Sequence, residues 1–229
     1  MAEVAHGQTG GCIPLLIQAL QNERHAPELL PYPELLVNET LDLLNARAAN
    51  AIPQPVDPNA PPSLLAFKPS DLYRMEMQRI NFLVSDLIRI RLKKIQERCF
   101  RIQYFMEEWK TNGRVEDPTG QFLVDALSEN EKHFAEKLGQ YFTTAMMEGG
   151  MKHFPLQYQS LVPGPRGEEM EMIEDVPLSK HVVVTILDND LGAVDLGYGA
   201  RQEVQAGDIF LVQYGVFREL ILTGKARLV

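Results

Sequence analysis

Residues Asp71–Trp109 run for 39 positions without a proline or a glycine. Few other features restrict a chain of this size so tightly, because such a stretch has no local signal to stop a helix. Its apolar residues fall in one file: Tyr73, Met77, Ile80, Val84, Ile88, Leu92, Ile95, Cys99, Ile102 and Met106. Leu83 and Leu87 widen it. The mean step is about 3.7 residues, the period of a straight helix rather than a left-handed coiled coil. Ser70 suits the N-cap, and Asp71 adds a negative charge where the helix dipole favours one. At 1.5 Å per residue the helix would be roughly 58 Å long. Ten such side chains are worth at most roughly 15–30 kcal/mol if all are buried, which no solitary helix can realise. The stretch is therefore read as the spine of a helical domain or of an assembly.

A second file follows the first: Arg91, Lys94, Arg98 and Arg101. Between Ile88 and Arg101 six basic residues face one acid, Glu97, so this helix is cationic inside a chain of net charge −9. Three readings stand: a solvated face, a surface for acidic partners, or a surface for nucleic-acid phosphate. Arg91 and Arg98 border the apolar file, so their stems are expected to pack and their heads to meet carboxylates.

The 229 residues can hold one or two domains with real cores. The acidic balance argues against a general nucleic-acid binder, which carries a basic domain. Cys12 and Cys99 make no disulfide framework, and Cys99 reads as a small core residue, which fits a reducing compartment. Cys12–Leu20 is too short, and too broken by Pro14, to span a membrane.

Taken in order, residues 1–12 are expected to be disordered. Ile13–Glu23 reads as a helix with Leu15, Leu16, Ile17 and Leu20 buried, and His25–Pro33 as a turn. Glu34–Asn50 reads as a second helix with Leu35, Leu36, Leu41, Leu43 and Leu44 inward. Ile52–Pro62 carries five prolines and reads as an extended connection. After the spine a loop is expected as far as Pro118-Thr119-Gly120. Ser128 with Glu131 three residues on is a capping-box pattern, opening a helix to about Met147 with Phe134, Leu138, Tyr141, Phe142 and Ala145 on its buried face. Residues 157–178 read as a linker. From Lys180 the pattern turns β: strands at His181–Leu187, Ile209–Tyr214 and Lys225–Val229, with a helical turn at Phe217, Leu220 and Ile221 closed by Gly224. The fold class is α+β: an N-terminal helical bundle domain over 13–156 with one long central helix, plus a small C-terminal mostly-β domain over 179–229. A domain of about 50 residues is marginal alone and should dock on something.

No catalytic constellation emerges. Gly192–Gly199 lacks both the P-loop ending and the dinucleotide fingerprint. Asp188-Asn189-Asp190 begins like a calcium loop, but Ala193 and Gly199 stand where that loop needs Gly and Glu. His6, His25, His133, His153 and His181 show no zinc spacing. The expectation is no catalytic residue, no cofactor, no metal and no small-molecule substrate, hence an assembly subunit rather than an enzyme.

Three motifs then carry a family resemblance. Asn22-Glu23-Arg24-His25-Ala26-Pro27-Glu28-Leu29-Leu30 is similar to an NE[KR]xAPELL signature. Met75-Glu76-Met77-Gln78-Arg79-Ile80 is similar to MEMERI, and Arg89-Ile90-Arg91-Leu92-Lys93-Lys94-Ile95 to RxRLxKI. The closing pattern Leu211-Val212-Gln213-Tyr214, Phe217, Leu220, Ile221, Gly224 and Leu228-Val229 matches in order. Together they resemble the Sld5 subunit family of the eukaryotic GINS complex.

The resemblance implies a non-catalytic subunit of a heterotetramer with the three Psf subunits. Through that complex it implies the MCM helicase ring and Cdc45, which together form the CMG replicative DNA helicase. It also implies a nuclear location, a role in initiation and fork progression, and a DNA polymerase and fork adaptors as further partners. No membrane is implied. The acidic–aliphatic docking peptide of some relatives is not seen in Met1–Leu20, which holds one acid, Glu3. The subunit contact is expected along the spine, at Met75, Met77, Arg79, Ile80, Val84, Ile88, Arg89, Arg91, Leu92, Lys94 and Ile95. In the β domain it is expected at Leu211, Tyr214 and Leu220. The alternative is a nucleic-acid-binding scaffold that uses the cationic Arg89–Arg101 face.

Overall fold

The computed structural model describes residues 11–52, 68–155, 159, 176–189, 191–197, 199 and 201–229. The fold is α+β, with seven α-helices among the described residues and a small antiparallel sheet at the C-terminal end. The proline-rich connection, the N-terminal ten residues and most of the 157–178 linker lie outside the described residues. The chain divides into two compact units: Met1–Gln21 with Pro33–Ile88, and Asn22–Tyr32 with Arg89–Val229.

In the first unit, helix α1 (Cys12–His25) contributes buried Leu16 and Leu20. Leu15, expected inward, is exposed. Helix α2 (Glu34–Ala48) buries Val37, Thr40 and Leu44, a line at i, i+3, i+7. Leu35 and Leu41, also expected inward, face outward. The helix is leucine-rich on every side, so the periodicity of leucine alone could not choose its face. Thr40 can occupy the core because its hydroxyl donates back to the Leu36 carbonyl at 2.7 Å. Arg47 of α2 pairs with Glu76 of helix α3 (Pro69–Glu97).

The 39-residue spine is not one helix. It breaks at Arg98, whose φ of −116° and ψ of 16° lie outside the helical region, and resumes as α4 (Cys99–Asn112). The Arg98 amide is shared between the Lys94 and Ile95 carbonyls, both at 3.2 Å, and the ladder restarts with Ile102 N–H donating to Arg98 O at 2.9 Å. The first segment has 29 residues, so it is about 44 Å long rather than 58 Å. Its start also differs: Pro69 takes the first turn, so Ser70 lies inside the helix rather than at the cap. The buried line is Ile80, Val84, Leu87, Arg91 and Ile95. It passes through Leu87 and Arg91, not through Ile88 and Leu92, which are exposed and half-buried.

In the second unit, α4 packs with α5 (Pro118–Asp125) and α6 (Glu129–Gly149) around Ile95, Ile102, Phe105, Met106, Leu123, Val124, Leu127 and Ala135. Helix α5 begins inside the expected loop and was not anticipated. Its local signals are clear: Asp117 caps it by accepting from Thr119 N–H at 3.1 Å and Gly120 N–H at 3.2 Å, and Pro118 fills the first turn. Gly120 faces the Phe105 ring so closely that an added Cβ would lie 2.5 Å from it. The capping box of α6 is present as expected. Its buried face is Glu131, Ala135 and Gly139, whereas Phe134, Tyr141 and Ala145 are exposed. Small residues on that face let α4 approach, and a Cβ on Gly139 would lie 2.4 Å from Gln103 Oε1.

The sheet has the order β4-β1-β5, all antiparallel: β1 (His181–Ile186), β4 (Ile209–Gln213) and β5 (Ala226–Leu228). A short hairpin, β2 (Ala193–Asp195) with β3 (Arg201–Glu203), was not anticipated; it spans three residues a side. Helix α7 (Tyr214–Leu222) leads from β4 and ends at Gly224, whose φ of +75° suits a residue without a Cβ. The inner face of the sheet, Val182, Val184, Ile186, Val212, Ala226 and Leu228, packs with Tyr214, Phe217 and Ile221 of α7. Ala26 and Leu30 belong to this same core, while Leu29 between them belongs to the helical one.

Candidate functional site

That alternation places residues 22–32 at the centre of the second unit. Asn22, Glu23, Ala26, Pro27, Glu28, Leu29 and Leu30 are all buried. The segment runs from the last turn of α1 into a stretch without regular structure, its buried polar groups must find partners, and Arg91, Lys94, Arg98 and Arg218 supply them.

Arg91 is fully buried, at 0% exposure. Its Nε and Nη2 clamp the Glu131 carboxylate at 2.7 and 2.9 Å. Nη1 donates to Glu23 Oε2 at 2.9 Å and to the Leu30 carbonyl at 2.6 Å, and Nη2 also donates to the Ala126 carbonyl at 3.0 Å. A guanidinium has five N–H donors, and these contacts use each of them. The Tyr32 ring lies 5.2 Å from the guanidinium carbon. Burial opposes the charge, but the hydrogen bonds and charges of Glu131 and Glu23 outweigh it and hold Arg91 above the ordinary guanidinium range. Glu131 is fixed in turn by the capping box, its Oε2 accepting from Ser128 N–H at 2.9 Å.

One turn on, Lys94 donates to Glu23 Oε1 at 2.8 Å, to the Glu28 carbonyl at 2.7 Å and to the Glu23 carbonyl. Burial pulls its pKa down, and Glu23 partly restores it. Arg98 reaches the Pro27 carbonyl, which ties the break in the spine to the same segment. From the β side, Glu28 accepts from Tyr214 Oη at 2.6 Å and takes both prongs of Arg218 at 2.7 and 2.9 Å. Arg218 stacks 4.2 Å above the Phe122 ring, and Asn22 Oδ1 caps the Leu228 amide at 2.8 Å. The segment is thus a clasp. Glu23 faces the helices, Glu28 faces the β portion, and the donors of Arg91 and Lys94 are consumed.

Such an arrangement holds structure. A cavity of about 370 Å³ is lined by Lys93, Gln96, Glu97, Cys99, Phe100, Phe142 and Met146. Burial pushes the Cys99 thiol up, away from nucleophilic character. Among the described residues no group of three His, Cys, Asp or Glu could hold a metal, and no helix is long and apolar enough to cross a membrane.

The Tyr214 phenol is raised well above the ordinary tyrosine range, by burial first and by its bond to Glu28 second. Unfolded, it would ionise near its ordinary value of 10.0. A raised folded-state pKa contributes stability that is complete below that pH and is lost as pH rises through the folded value. Above about pH 10, the stability advantage of the wild type over Tyr214→Phe is expected to shrink by about 1.4 kcal/mol per pH unit, measured by urea unfolding across pH 8–11. The Lys94 shift is common to both proteins and cancels in the comparison. A pH-independent difference would contradict this placement of the phenol.

Residues 40–148 match the family model described as Sld5: GINS complex protein helical bundle domain. The matched stretch carries the helices that supply Arg91, Lys94, Arg98 and Glu131.

This stretch is similar to the helical bundle domain of the Sld5 type found in GINS complex proteins.

Curated relatives extend the likeness over nearly the whole length. The chain is 25% identical to the DNA replication complex GINS protein SLD5 of Arabidopsis thaliana, over 95% of this chain and 90% of that protein. The protein of the same name from Rattus norvegicus is 25% identical over 93% of this chain and 87% of its own length, and that from Saccharomyces cerevisiae 24% over 93% and 79%.

The expected contact residues fall into three groups. Met75, Arg79, Ile88, Arg89 and Leu211 are exposed. Met77, Leu92, Lys94 and Leu220 are half-buried, and Ile80, Val84, Arg91, Ile95 and Tyr214 lie in the interior. The cationic face is largely turned inward: of its six basic residues only Arg89 and Lys93 are exposed, and Lys93 pairs with Glu97 at 3.9 Å. Sequence reasoning gave Glu23 and Glu28 no role, although both lie in the NERHAPELL motif, and it read Glu131 only as a cap. The motif places one acid in the last turn of α1 and the other in the irregular stretch after it, and nothing local names their partners.

Proposed function

We propose that this chain is a non-catalytic structural subunit of the GINS heterotetramer, assembled in the nucleus with the three Psf subunits. Through that tetramer it joins the MCM ring and Cdc45 in the CMG replicative helicase and serves initiation and fork progression. ATP hydrolysis then belongs to the MCM ring, in keeping with the saturated clasp described above.

The observation that carries this reading is the outer face of α3. Met75 and Phe82 share one helical face, roughly opposite the buried Ile80, Val84 and Leu87. Met75 is 64% and Phe82 59% exposed. A helix apolar on two opposite faces uses one for its own core and has the other available for a partner.

Met75→Lys combined with Phe82→Lys is expected to cut recovery of the co-expressed four-subunit complex by more than about ten-fold, since two desolvated contacts at 1–2 kcal/mol each suffice for that. The isolated chain should melt as the wild type does, because both side chains face solvent. An undiminished yield of the complex would remove this face from the assembly.

A further inference from the structure

The three-stranded sheet offers a second surface, and its backbone says what would cover it. Tyr214 N–H donates to Lys180 O at 2.9 Å and Ile186 N–H to Asp208 O at 3.0 Å, so the even-numbered residues of β1 turn their main-chain groups toward β4. Val229 N–H donates to Val183 O at 3.1 Å and Leu187 N–H to Lys225 O at 2.9 Å, so the odd-numbered ones turn toward β5. In the observed register Val184 stands opposite Phe210, and Val182 opposite Val212. Antiparallel alternation then bonds Phe210 and Val212 to β1 and points the N–H and C=O of Ile209 and Leu211 away from the sheet. No strand lies beyond β4 among the described residues.

The side chains there are apolar as well. Ile209 is 65% and Leu211 66% exposed, and Val183 and Val229 are exposed on the same outer face. Edge strands are ordinarily blunted by Lys, Pro or an inward charge. Ile209-Phe210-Leu211-Val212-Gln213 has none of these. Two outward main-chain pairs with alternate apolar side chains fit an extended polypeptide, which would continue the ladder while its own alternate apolar residues lie over Leu211 and Val183.

We propose that the β4 edge receives an extended segment of another GINS subunit as an added antiparallel or parallel strand. The inference rests on the assembly reading above and adds the place and the mode of contact. A different subunit, not a second copy, is the occupant: each copy carries a net charge of −9, which opposes self-association.

The test is residue-resolved amide hydrogen exchange on the complex co-expressed with the three Psf subunits, with its mass read by light scattering. The result expected is that Ile209 and Leu211 exchange as slowly as Phe210 and Val212. Leu211→Pro, which deletes an outward donor and leaves the β1 ladder intact, should return the Ile209 amide to fast exchange. A complex of the right mass in which Ile209 and Leu211 exchange about ten-fold or more faster than Phe210 and Val212 overturns the proposal and leaves the assembly reading standing. Protection of Ile209 and Leu211 in a dimer of this chain alone overturns it in favour of a second copy. Absence of any four-subunit mass overturns both readings and is recognised before the exchange is measured.

Discussion

Replacing Arg91 by leucine is expected to destabilise the chain by about 3–5 kcal/mol, the range for removing one member of a buried ion pair. The substitution leaves the Glu131 carboxylate without its two-pronged partner and strips Glu23 of one of two cations, in a site where neither is exposed to water. It also orphans the Leu30 and Ala126 carbonyls that Arg91 satisfies. Arg91→Lys keeps the charge but cannot reproduce the fork, so most of the loss should remain. Arg89→Ala, two residues away and exposed, should fall within about 0.5 kcal/mol of the wild type. Urea unfolding midpoints of the three variants decide the matter. Equal midpoints for Arg91→Leu and Arg89→Ala would mean that the buried cation is not what holds residues 22–32.

Replacing Glu28 by alanine should act on the opposite side of the same segment. It leaves the buried Tyr214 hydroxyl without its acceptor and Arg218 without its carboxylate. Lost hydrogen bonds to charged or buried groups cost roughly 1.5–3 kcal/mol each, and Arg218 is partly solvated, so a total of about 2–4 kcal/mol is expected. The distribution is more telling than the total. Amides of β1, β4 and β5 should exchange about ten to a hundred times faster, whereas those of α4 and α6 should change little, because the contacts of Glu28 run to α7. Glu28→Gln, which preserves an acceptor for Tyr214, should lie between. Uniform loss of protection across the second unit would show that the β portion is not separately clasped.

The two effects have one origin, and it accounts for what could and could not be read along the chain. The α6 capping box and the Gly224 stop depend on residues within a few positions of one another and were plain. The strands β1, β4 and β5 were plain too, since β-branched and apolar runs carry their own signal. Arg91 was read as bordering the apolar file, with its stem packed and its head on a carboxylate, but which carboxylates was not legible. Its partners Glu23 and Glu131 lie 68 and 40 positions away, and no local pattern announces them. The break at Arg98 was hidden for the same reason: neither Gly nor Pro marks it, and the side chain is committed to the Pro27 carbonyl, 71 residues earlier. The two-sided leucine content of α2 concealed which side would face inward. Only α5 was overlooked despite adequate local signals, in Asp117 and Pro118.

The measurement that bears most directly on the whole account is the mass, by size exclusion with light scattering, of this chain expressed alone and together with the three Psf subunits. The account predicts a 1:1:1:1 complex of roughly four times the 25.9 kDa of this chain, with the chain alone poorly soluble or aggregated through its uncovered α3 and β4 surfaces. A well-behaved monomer that leaves those three partners unbound would contradict it.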